Sequence, residues 1–157
     1  DQTKLTSDTN SFLATFWQWL PYTEYHQYFN VKLVHVISNE NGADNGSYGA
    51  TRDTALGAYY NCANVDRFIC VNDSAVWNVA QTDAPESDVI FVIVNDPKYG
   101  GSGGSMAVFS IDPNAPQIAL HEFGHTFAVP IMIQVLDQIV SLSSYFVQLP
   151  YNVACHE

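Results

Sequence analysis

Hydrophobic and polar positions recur with two different periods along the chain, and those periods divide it into helices and strands. In "SDTNSFLATFWQWL", Phe12, Phe16, Trp19 and Leu20 fall at helical spacing, so an apolar stripe is expected along a helix that Ser7 or Asp8 can cap. Pro21 ends that helix and opens a second short one, "PYTEYHQYF". "VKLVHVIS", residues 31–38, alternates and is β-branched, the pattern of a strand. "NENGADNGSYG" is a turn-rich loop, while "RDTALGAYY" and "DSAVWNVAQ" read as short helices. "DVIFVIVND", residues 88–96, is almost continuously apolar, as expected of a central strand covered on both faces.

A Gly-rich stretch, "DPKYGGSGG", follows and reads as a mobile loop beside a cleft. It leads into a strand at Ser105–Ser110, read either as plain scaffold or as an edge with which an extended peptide can pair. "PNAPQIALHEFGHTFA" is then a helix, with Asn114 as cap and Pro116 in the first turn. The order predicts a layered α/β domain, helices packed against a twisted mixed sheet. No internal repeat or interdomain linker interrupts it, so residues 1–157 are expected to form a single domain.

Composition narrows the function. With 47% hydrophobic and 13% aromatic residues, the chain suits a packed globular fold. A net charge of −11 argues against a nucleic-acid partner, since phosphates would be repelled. No apolar run is long enough for a membrane span. The opening "DQTKLTSDTNSF" has neither a basic nor an apolar leader region, so any signal peptide is expected to be already removed. An acidic, Lys-poor surface fits a secreted protein, and equally plain solubility. Cys62 and Cys70, eight apart, read either as a local disulfide or as two buried thiols. Asn45 in "NGS" and Asn72 in "NDS" are glycosylation sequons, meaningful in a secreting eukaryote.

The strongest chemical signal is His121-Glu122-Phe123-Gly124-His125. Two histidines four apart on a helix share one face, so His121 and His125 can hold one Zn²⁺. Glu122, beside the first ligand, can take the proton of a zinc-activated water and return it to the leaving amine. His26 and His35 are weaker signals, more often structural. "GGSGG" lacks the lysine and the following helix of a phosphate cradle.

Taken together, "PYTEYHQYFNVKLVHVISNENGAD", "RDTALGAYYNCANVDRFICVND", "DVIFVIVNDPKYGGSGG" and "ALHEFGHTFA" resemble the IgA-peptidase family of zinc metallo-endopeptidases, over about residues 20–128. The resemblance implies a zincin-like fold with an active-site helix carrying the HExxH motif. It further implies bound zinc and hydrolysis of peptide bonds in protein or peptide substrates, usually outside the cell. His121 and His125 would be ligands, Glu122 the base, and Cys62–Cys70 a bridge that leaves Cys155 unpaired. The family continues through an acidic turn like Gly-Leu-Ala-Asp-Glu-Tyr, where this chain has Val129-Pro130-Ile131-Met132-Ile133-Gln134. Residues 129–157 are therefore read as a divergent tail, the product of a shifted frame or misjoined coding segment. Only Asp137, His156 and Glu157 remain there as candidates for a third ligand, and an incomplete metal site with little activity is expected. Two functions stay open: a zinc endopeptidase, or a non-catalytic acidic binding domain on the same scaffold.

Overall fold

Two phenylalanines decide where the first helix sits. The computed structural model describes residues 2–46, 49–114 and 116–124, all within one compact unit, Asp1–Thr126. Helix α1 spans Gln2–Phe16 and buries Thr9, Phe12 and Phe16, a single stripe at helical spacing. Its many Ser and Thr residues are weak helix formers, and several hydroxyls bond back to the preceding turn, as Thr6 Oγ1 does to the Gln2 carbonyl at 2.9 Å. Docking of the aromatic stripe therefore holds the helix more than propensity does.

The helix starts before Ser7 and Asp8, so neither caps it. Asp8 instead pairs with Lys4 one turn earlier, at 2.6 Å. It also ends at Phe16, and Trp19 and Leu20 are exposed by 49% and 71% rather than extending the buried stripe. Beyond Pro21 come the expected short helix α2, Tyr22–Tyr25, and a 3₁₀ turn, His26–Tyr28.

Two segments depart from the pattern read along the chain. Residues 31–38 join no ladder among the described residues, and Val31, Leu33 and Ile37 are exposed. Alternation suits a strand, but a ladder also needs a partner in register. "RDTALGAYY" forms no helix. Polar groups of residues 38–44 capture its backbone N–H groups: Ala55 N–H donates to Ser38 Oγ at 2.9 Å, Asp53 N–H to Glu40 Oε2 at 2.7 Å, and Arg52 N–H to Asp44 Oδ1. Gly57, at φ +59°, then turns the chain. The segment ends as strand β1, Tyr59–Tyr60, paired antiparallel with β2, Ile69–Cys70.

A disulfide joins Cys62 and Cys70 and closes this hairpin. Of the two readings open from spacing alone, a local disulfide or two buried thiols, the disulfide is the one formed. Cys155 lies outside the described residues. Helix α3, Asp73–Asp83, forms as expected, with Asn72 Oδ1 accepting the Ala75 N–H at 3.1 Å as its cap.

The larger sheet has the order β3-β5-β4 and is mixed. β3, Phe91–Val94, runs parallel to β5, Ala107–Ser110, while β4, Gly101–Ser102, is antiparallel to β5. This corrects two expectations. β3 is a flanking strand of this sheet and alternates between half-buried and buried, whereas β5 is the central, wholly buried one. β5 is also not an edge open to a peptide, because both of its sides are already paired. The Gly-rich stretch is not simply a loop, since its middle is β4.

Pleating sorts the side chains onto two faces. Phe91, Ile93, Ala107, Phe109 and Gly101 share one, by the registers Phe91↔Ala107, Ile93↔Phe109 and Gly101↔Phe109. On it, Phe12 packs at 5.2 Å from Phe91 and 5.0 Å from Phe109. Val92, Val94 and Val108 point the other way, into an aliphatic core with Val76 of α3 and with Tyr60 and Ile69 of the disulfide hairpin. The α/β class is as expected.

Candidate active site

The HEFGH segment reaches its place through a short, well-tied connection after β5. Asp112 Oδ1 accepts from the Asn114 N–H at 2.8 Å and from the Asn114 side-chain amide at 3.0 Å. The Asn114 carbonyl accepts from Gln117 N–H and Ile118 N–H, at 3.0 and 3.2 Å. Asn114 thus starts the helix with its main chain, while its side-chain amide serves Asp112. Helix α4 is described over residues 116–124, with Pro116 at its first turn as expected.

Ile118, Ala119, Glu122 and Phe123 form the buried side of α4, at helical spacing. Phe123 is the anchor. Its ring stacks on Phe91 at 5.3 Å and meets Phe16 at 5.4 Å and Tyr22 at 5.3 Å. Ile118 sits where a side chain on Gly101 would have to go, so the missing Cβ of Gly101 lets α4 approach β4.

His121 is exposed while the adjacent Glu122 is 6% exposed. The imidazole therefore lies at the protein surface, beside a carboxylate sheltered by the fold. Imidazole nitrogen is a fitting donor for zinc, and a neighbouring carboxylate is a fitting proton acceptor. His125, Asp137, His156 and Glu157 lie outside the described residues. Among the described residues no group of three or more His, Cys, Asp or Glu side chains is placed to hold a metal. Of the other histidines, His26 is tied locally, its Nδ1 2.9 Å from the Thr23 carbonyl.

A polar group absent from the sequence expectations ties the end of β3 to β1 and to residue 43. Asp96, just after β3, accepts from Ala43 N–H at 3.1 Å and from Lys98 N–H at 2.8 Å. Tyr60 donates its hydroxyl to the Lys98 carbonyl at 2.6 Å, and the Lys98 ammonium lies 4.4 Å from the Tyr60 ring centre. Burial, and then the negative charge of Asp96, push the Tyr60 phenol well above its ordinary range. The Asp96–Lys98 bond is local, but the contacts with Ala43 and Tyr60 span long sequence separations, which no local pattern marks.

The family comparison covers this whole framework. The chain matches the IgA peptidase M64 family over residues 1–130, a span that includes α1, the sheet, the disulfide hairpin and HEFGH. The chain belongs to the IgA peptidase M64 family. The M64 match reaches further toward the amino terminus than the blocks that carry the resemblance, and it ends at residue 130. No curated protein matches the chain closely enough to count as a relative. As an M64 member the chain is a protein of a peptidase family. Among the described residues no helix is long and apolar enough to cross a membrane.

Proposed function

We propose that this chain carries the metal-binding and proton-transfer groups of a secreted, zincin-like zinc endopeptidase, acting on protein or peptide substrates. Two features support the reading: the M64 match contains HEFGH, and α4 sets a buried Glu122 beside a surface His121. His121 and His125 would hold the zinc. When bound, zinc supplies a Lewis acid that polarises a carbonyl and makes water nucleophilic at neutral pH. Glu122 would hold the water's proton and pass it to the leaving nitrogen. Its sheltered position on the buried side of α4 limits the orientations the carboxylate can take.

The tail sets the expected level of activity. Residues 129–135, "VPIMIQV", contain no acid or histidine, so the usual third protein ligand is missing beside His125. Asp137, His156 and Glu157 are candidates to replace it. We therefore expect weak zinc binding and slow turnover. This departure also supports the second reading, an acidic binding domain on the same framework. The disulfide between Cys62 and Cys70 suits an oxidising, extracellular setting.

The deciding experiment measures zinc content and proteolysis together. Competition against chelators of graded strength should give about one zinc per chain in wild type, and none in a His121→Ala, His125→Ala double variant. Glu122→Gln should keep the metal and abolish hydrolysis of an unstructured protein. Equal zinc in wild type and the double variant would reject the site. Zinc binding with no hydrolysis in wild type would decide for the binding domain.

A further inference from the structure

The two sequons are the one motif that the peptidase reading leaves unused, and the fold treats them differently. Asn72 is exposed, and so is Ser74, which completes its sequon. The Asn72 side chain is already oriented: Oδ1 accepts the Ala75 N–H at the start of α3. That leaves Nδ2, the atom that would be modified, without a hydrogen bond among the described residues. The nearest glycine, Gly57, faces the Asn72 Cβ and not its amide. Asn45 is more crowded. Its Oδ1 accepts from Lys98 at 3.0 Å, and a Cβ on Gly49 would stand 3.1 Å from its Nδ2.

Position within the fold adds a second reason. Asn72 begins α3, whose Val76 is buried on the aliphatic side of the sheet, whereas α4 is docked through Phe123 on the aromatic side. A bulky polar group on Asn72 would extend from the start of α3 and leave α4 untouched. It would also leave the cap intact, because a glycosylated amide keeps Oδ1 as an acceptor.

We propose that Asn72 is an N-glycosylation site, occupied when the chain is exported through a secretory route that supplies a lipid-pyrophosphate-linked oligosaccharide. In the transfer, Nδ2 forms a bond to C1 of the first sugar. The bond from C1 to the pyrophosphate oxygen breaks, the lipid pyrophosphate leaves, and Nδ2 gives one proton to base. The Ser74 hydroxyl is the recognition element two residues on.

The test is to express the full 157-residue chain behind a cleavable leader in a secreting eukaryotic host. Medium and cells are pooled, so that retained protein is counted. Treatment with a peptide-N-glycosidase in ¹⁸O-labelled water converts an occupied Asn to ¹⁸O-labelled Asp, which peptide mass spectrometry locates. Asn72 should carry the label in most chains, and Ser74→Ala should remove it while leaving the helix cap in place. Thermal unfolding of Ser74→Ala should match that of wild type made in a bacterial host without glycosylation, where Asn72 is unmodified, which shows that the variant folds. An unlabelled Asn72 in the pooled wild type, or label at Asn45 alone, would overturn the proposal.

Discussion

The two faces of the β3-β5-β4 sheet are built from different side chains and serve different parts of the molecule. One face is aromatic: Phe91 and Phe109 meet Phe12 and Phe16 of α1 and Phe123 of α4. The other is aliphatic, with Val92, Val94 and Val108 against Val76, Ile69 and Tyr60. The HEFGH helix rests on the first face, and the disulfide hairpin and α3 on the second. Large rings lock an orientation through a few broad contacts. Small branched residues fill space densely without fixing one helix angle. The difference teaches that the placement of the HEFGH helix depends on a handful of phenylalanines, while the opposite face holds α3 and the hairpin.

The largest expected effects come from emptying one face at a time. Phe123→Ala should cost about 3–5 kcal/mol and, in the folded fraction, weaken zinc binding. Ile69→Ala on the other face should cost about 2–5 kcal/mol with zinc affinity of the folded fraction unchanged. Urea unfolding with parallel zinc titration measures both. Equal loss of zinc affinity in the two variants would show that the faces do not act separately.

A smaller effect should follow removal of the Cys62–Cys70 bridge. Replacing both cysteines by serine opens a short loop and should cost about 2–3 kcal/mol, again without loss of zinc affinity. Gly100→Ala and Gly101→Ala sharpen the contrast at adjacent positions, at about 1–3 kcal/mol each. A Cβ on Gly100 would stand 2.6 Å from the Arg67 carbonyl and 2.7 Å from the Tyr60 ring, on the hairpin side. One on Gly101 would press on Ile118 of α4, so only that variant should alter zinc binding.

The smallest effect is electrostatic. The Tyr60 phenol is raised in the folded protein, so above its ordinary value of 10.0 the unfolded chain loses this proton first. Fewer protons bound by the unfolded state means stability falls as pH rises. Below that pH the contribution is fully present, and it is lost as pH climbs toward the folded value. Tyr60→Phe should cost about 1 kcal/mol at neutral pH, for the lost bond to the Lys98 carbonyl, and should show a shallower alkaline decline. Denaturant midpoints from neutral pH to above pH 10 would check the sign. An unchanged slope would remove Tyr60 from the account.

Some of this was legible one residue at a time. The pattern of "DSAVWNVAQ" specified α3, because a helical period acts within a few residues, and the structure added Asn72 as its cap. Phe12 and Phe16 specified a buried stripe for the same reason, and the spacing of HEFGH placed His121 and Glu122 on one helix. The local signals failed where a distant group outbid them. "RDTALGAYY" looked helical until Ser38, Glu40 and Asp44 took its N–H groups, and no local window contains both partners. Residues 31–38 alternate like a strand, yet alternation cannot supply a neighbour to pair with.

Tertiary structure alone decided which strand is central. Apolar content favoured residues 88–96, but pairing on both sides made β5 the centre and closed it to an incoming peptide. It alone set Glu122 inside and His121 outside, since the side of α4 that is buried depends on where Phe123 finds Phe16, Tyr22 and Phe91. It also made Gly101 necessary, through the approach of Ile118 across a gap in sequence. Helix caps and periodicity are short-range and can be read along the chain. Strand order and helix facing are set by contacts between segments far apart, and appear only once the chain has folded.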